Sequence, residues 1–198
     1  MKFYISPSSQ EANAYTTGTN EEVIMNLIAD ALCAKLQAYP QIEYKRNQKS
    51  NTFAGHVEES NLYRPDIHFA IHSNALNGKA RGCEVFVFNP LNAANPATQF
   101  AGILYSKISA ITPTLDRGIK AGTMAEVKSV HAPAVLIEIA FHDNREDALW
   151  IVSHISDLAQ TILLSMLEFA KVKYVSDPID YLAMKSALKQ IKDIAAPF

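Results

Sequence analysis

The chain has 198 residues, 48% of them hydrophobic, and a formal net charge of −2. That is enough apolar material for one well-buried domain with a short appendage, and the near-neutral balance points away from a nucleic-acid partner. No stretch reaches the ~18 apolar residues needed to span a membrane, and two cysteines, Cys33 and Cys83, read as buried thiols rather than a disulfide framework.

KFYIS reads as a first strand, and no apolar signal-peptide core precedes it, so synthesis in the cytoplasm is expected. After the loop PSSQEANAYTTGTN, a helix is expected over residues 21–37. Its largely apolar face would hold Ile24, Leu27, Ile28, Ala31, Leu32 and Lys35. IEYKR is a second strand, and the basic YKRNQK that overlaps it is a solvated loop. TFAGHVEESNLY is a short helix, DIHFAIH and CEVFVF are strands, and a further helix runs over 97–110. An irregular glycine-containing stretch then leads into PAVLIEIAFHDN, a strand, followed by one long helix from Asp143 or Asn144 to Ala170. This alternation predicts an α/β fold: a single twisted, mostly parallel sheet with helices on both faces. The domain would occupy residues 1–171, with a linker and a C-terminal amphipathic helix over 172–198.

The strand AVLIEIAF is apolar on both faces, the pattern of a strand covered on both sides, yet Glu138 stands in its middle. A carboxylate there is costly to bury unless it is paired or lies at an open end of the sheet. It is either a structural ion-pair partner or a catalytic acid or base near the carboxyl edge, where open α/β sheets place their sites. Two other places carry suitable chemistry. Glu22 lies at the start of the first helix, three residues after Thr19, which is also the spacing of a capping box. His72 ends an apolar strand just before Ser73 and Asn74, where it is either a ligand or a structural histidine. Taken together, a His/carboxylate set with a spare glutamate is what hydrolysis by a bound zinc requires. No nucleophile elbow, P-loop or dinucleotide fingerprint competes with it.

With the glutamate four residues before Asn26 in EVIMNLIADAL, the IHSNA block, GCEVFVF and APAVLIEIAFHDN in this order, residues 2–170 resemble a known family. It is that of the zinc-dependent N-acetylmuramoyl-L-alanine amidases of the type-3 fold, found in autolysins, sporulation enzymes and phage endolysins. The resemblance implies that Glu22 and His72 are zinc ligands and Glu138 the catalytic glutamate. It implies hydrolysis of the amide joining N-acetylmuramic acid to L-alanine in peptidoglycan, at the cell wall, by a monomer. The family carries a further histidine ligand after the first strand, where this chain reads SPSSQ, with Ser8 in its place. Imidazole is the better zinc donor, so His142, at the carboxyl edge beyond Glu138, is the expected third ligand. Gln10 and His68 are the alternatives. Two other functions stay open: a catalytically silent relative that binds wall fragments, and a zinc peptidase or deacylase acting on another amide.

Overall fold

Two strands that are buried on both faces, β3 (Ile67–Asn74) and β6 (Ala134–Phe141), lie side by side in the middle of the sheet. They do so in a computed structural model that describes residues 1–47, 52–88, 91–114 and 117–175. With β1 (Lys2–Pro7), β2 (Glu43–Arg46), β4 (Glu84–Phe88) and β5 (Ile119–Gly122) they form six strands in the order β2-β1-β3-β6-β4-β5. Every neighbouring pair is parallel except β4 and β6, so the sheet is mostly parallel, as the α/β pattern implied.

Strand side chains alternate between faces, and here the two faces differ. One face is thick. Phe3 and Ile5 of β1, Ile67, Phe69 and Ile71 of β3, and Val135, Ile137 and Ile139 of β6 belong to its core. They pack beneath α1 (Glu21–Leu36), α3 (Pro96–Ser109) and α6 (Ile155–Phe169), with Phe100 edge-on to Phe3 and Phe69. The other face is thin. Ala70, Ala134 and Leu136 meet Val127 of α4 (Ala125–Lys128), Val130, and the edge of α2 (Phe53–Tyr63) through Val57.

Several boundaries depart from the expectation. Asn20, not Thr19, caps α1, its side chain accepting from the Val23 N–H at 2.9 Å. Along the helix Glu21, Met25, Ile28 and Leu32 share the buried stripe while Leu27 is exposed. The expected long last helix is two: α5 (Arg145–Ser153) and α6 meet at a 73° bend. His154 leaves helical backbone there (φ −119°, ψ 23°), and its ring Nδ1 lies 2.8 Å from the Trp150 carbonyl oxygen. The bend lets α5 lie against β6 while α6 packs on α1 and α3. The stretch expected to be irregular holds β5 and α4. The expected linker and helix over 172–198 lie, from residue 176 onward, outside the described residues.

Candidate active site

The thin face carries the chemistry. Alternation along β3 sends His68, Ala70 and His72 to the side opposite Ile67, Phe69 and Ile71, and β6 sends Leu136 and Glu138 the same way. His72 and Glu138 are register partners on adjacent strands. Both line a cavity of about 380 Å³ beyond the end of β1, together with Pro7, Gln10, His56 and Glu126. It opens at the carboxyl ends of the parallel strands, where the crevice of an open α/β sheet lies.

His72 is clamped between two carboxylates. Its Nδ1 lies 2.9 Å from Glu21 Oε1, and its Nε2 lies 3.0 Å from Glu126 Oε2. Burial by itself disfavours the charged imidazole, but the hydrogen bonds to Glu126 and Glu21 outweigh it and raise the His72 pKa well above the ordinary 6.5. Burial likewise pushes both carboxyl groups up. For Glu21 the bond and charge of His72, with Asn13 and the Ser73 N–H, reverse that and hold it low. For Glu126 the bonds from His68 and His72 do the same, more strongly.

The loop after β1 brings in a further donor. The Ser8 N–H donates to the Ile71 carbonyl at 3.0 Å, tying the loop to β3. The Gln10 side-chain nitrogen then lies 3.4 Å from His72 Nδ1. Asn13 Nδ2 donates to Gln10 Oε1 at 2.9 Å and to Glu21 Oε2 at 2.6 Å, so one side chain spaces both groups.

Glu138 behaves differently from the other carboxylates. Its Oε2 is buried without a hydrogen-bond partner. Burial is the main cause that pushes its pKa up to about 8; the neighbouring Glu21, Glu84 and Glu126 add to it, and His72 opposes. Asp147 is the contrast: it is fully buried, yet accepts from Arg81 Nε at 2.7 Å and from the N–H groups of Gly82 and Phe141. A structural buried carboxylate is satisfied in that way. Glu138 keeps an oxygen free in a cavity.

The residues expected from sequence are not all brought together. His72 and Glu138 meet in the cavity, but Glu21 faces His72 in place of Glu22. Glu21 is buried on the stripe of Met25, Ile28 and Leu32, while Glu22, about 100° round the helix, is only half-buried. His142 turns to the other side of the sheet. Between His72↔Glu138 and Asn74↔Phe141, β3 advances two residues and β6 three. Such a one-residue slip exchanges the faces, and the His142 ring bonds Ser73 at Nδ1 and stacks on Tyr15 at 5.2 Å. His68 fills a buried polar niche, with Nδ1 2.9 Å from Ser60 Oγ. Sequence reasoning missed Glu126, which arrives on α4 from the stretch expected to be irregular. The one signal for it is an acidic residue flanked by the apolar Met124, Ala125 and Val127.

Zinc chemistry can be tested against this donor set. Among the described residues no three His, Cys, Asp or Glu side chains converge as a metal cluster; the donor beside Glu21 and His72 is the amide of Gln10. Tetrahedral zinc with bonds of about 2.0–2.2 Å holds its donors roughly 3.3 Å apart. Of the separations around His72 Nδ1, the 3.4 Å to Gln10 is of that size and the 2.9 Å to Glu21 is shorter; a half-turn of the Gln10 amide would direct its oxygen inward at the cost of the bond it accepts from Asn13. The set fits zinc, with one weak donor.

Comparison with known proteins shows the family and the fold. A family model described as N-acetylmuramoyl-L-alanine amidase matches residues 8–168. An uncharacterized cell wall amidase of Bacillus anthracis is 34% identical over 111 residues, covering 52% of this chain and 21% of that protein. The endolysin of Bacillus phage SPP1 is 24% identical over 159 residues, covering 76% of this chain and 58% of the endolysin. The chain thus spans less than two thirds of either relative. The crystal structure of an N-acetylmuramoyl-L-alanine amidase from Clostridium difficile 630 has the same fold, with a TM-score of 0.77 at 21% identity, over 87% of this chain and 98% of that one.

Proposed function

Because the chain belongs to the N-acetylmuramoyl-L-alanine amidase family, we propose that it is a peptidoglycan hydrolase with zinc as its cofactor. It cleaves the amide between the lactyl group of N-acetylmuramic acid and L-alanine, as a monomer acting at the bacterial cell wall. Glu138 carries this reading: a carboxylate with a free buried oxygen, in a cavity shared with His72 and Gln10. Glu21, His72 and Gln10 would hold the zinc, with Gln10 taking the place expected for His142. When bound, zinc lowers the pKa of water and polarises an amide carbonyl.

The remaining work falls to the chain. Glu138 accepts a proton at Oε2 from the attacking water and delivers it to the departing L-alanine nitrogen. Without metal the Glu138 carboxyl is pushed up to about 8; the positive charge of bound zinc would lower it toward neutral pH, where one group can both accept and return a proton. Leu136, Phe53 and Met124 wall the cavity with apolar surface.

The deciding experiment incubates the zinc-loaded protein with purified cell walls. New L-alanine amino termini, lost on chelation, together with about one zinc per chain, are the expected result. Intact walls and no bound zinc would favour the silent wall-binding relative instead; intact walls with zinc bound would favour a deacylase on another amide. Amino termini of another residue would favour a peptidase.

A further inference from the structure

Glu126 is a buried carboxylate for which the hydrolysis above has no task. It sits on the single turn of α4, packed over β6 and β4. Its Oε2 lies 3.0 Å from His72 Nε2. Its Oε1 accepts from the Ser6 hydroxyl and lies 3.3 Å from His68 Nε2. His68 is fixed in turn by Ser60 and by stacking on Tyr4, with ring centroids 5.3 Å apart. Side chains from β1, β3 and α2 therefore converge, directly or through His68, to orient one carboxylate. Buried ion pairs of this kind seldom add stability, because desolvation costs about as much as the attraction returns. The arrangement is better explained by what it does to His72.

A metal-binding histidine presents one bare ring nitrogen and carries its proton on the other, and the partner of that other nitrogen decides which is which. In His72 only Nδ1 faces Glu21 and Gln10, while Nε2 faces Glu126. We propose that Glu126 is a positioning residue: by accepting the Nε2–H of His72, it holds the ring in the tautomer and rotation that direct a bare Nδ1 at the metal. This rests on the zinc reading above. It matters more here than in a site with three strong donors, because the neutral amide of Gln10 leaves His72 and Glu21 to carry most of the affinity.

Zinc affinity is measured by chelator competition for wild type, Glu126→Gln and Glu126→Leu. Histidine ¹⁵N NMR of the zinc-loaded wild type locates the His72 proton. The expected result is a proton on Nε2, with zinc binding weakened roughly 10–100-fold in Glu126→Leu and less in Glu126→Gln, whose amide oxygen still accepts. Unchanged affinity in a folded Glu126→Leu, or a bare Nε2 in the wild type, overturns the proposal. If Glu126→Leu does not fold, the spectrum and the Gln variant still decide. A wild-type protein that takes up no zinc would sink the zinc reading itself, an outcome distinct from zinc bound equally well with and without Glu126.

Discussion

Phe69 and His72 stand three residues apart on one strand, yet they belong to different environments. Phe69 meets Phe100 edge-on at 5.5 Å, inside the apolar layer under α1, α3 and α6. His72 faces two carboxylates and a cavity roofed by a few residues of α2 and α4. On the thick face nearly every side chain removes apolar area from water, and folding is driven there. On the thin face the small apolar cluster leaves room for charged groups whose burial costs free energy. The comparison teaches that one set of strands can separate stability from chemistry by side-chain alternation alone, provided that the register holds.

The largest effect expected from breaking this division lies on the thick face. Phe100→Ala removes an aromatic ring that touches Phe3, Phe69 and Phe169. It should cost about 3–5 kcal/mol, read as a lower urea midpoint at unchanged slope. A loss under ~1 kcal/mol would mean that the core is centred elsewhere.

On the thin face the division predicts the reverse. Glu138→Gln should keep the fold and the zinc while slowing wall hydrolysis at least ~100-fold, the scale of general acid–base catalysis. Circular dichroism and amino-terminus release report the two properties separately. A rate near wild type would remove Glu138 from the chemistry.

A smaller effect is the pH dependence of the metal-free protein. The Glu138 pKa is pushed up from the ordinary 4.5 to about 8 on folding. Between those values the folded state holds a proton that the unfolded state has released, so stability falls as pH rises through this window. Glu138→Gln lacks the group. It should match wild type near pH 4 and exceed it at pH 8 by roughly 1–3 kcal/mol, the cost of a buried group without partners. Parallel stability curves for the two proteins would contradict this.

The smallest effect separates two neighbouring glutamates. Glu22→Gln should alter stability by no more than ~0.5 kcal/mol, as substitutions outside the buried networks do, and leave zinc stoichiometry intact. Glu21→Gln should lose most of the metal. Zinc loss from both variants, or from Glu22→Gln alone, would reverse the assignment.

Much of this was legible in the chain itself. The β/α alternation, the doubly apolar strand and the out-of-place Glu138 within it follow from local pattern, because periodicity and burial cost act within a few residues. His72 at a strand end was legible for the same reason. Tertiary structure alone decided the rest. Choosing Glu21 over Glu22 required the phase of α1, which the packing of Met25 and Ile28 sets. The fate of His142 hung on a register slip between β3 and β6, which arises between strands and leaves no mark on either one. Glu126 reaches His72 across 54 residues of sequence because α4 folds back over the sheet. A side chain's type is local, but its neighbours are fixed by pairing and packing between distant segments, and the ligand set belongs to the second kind.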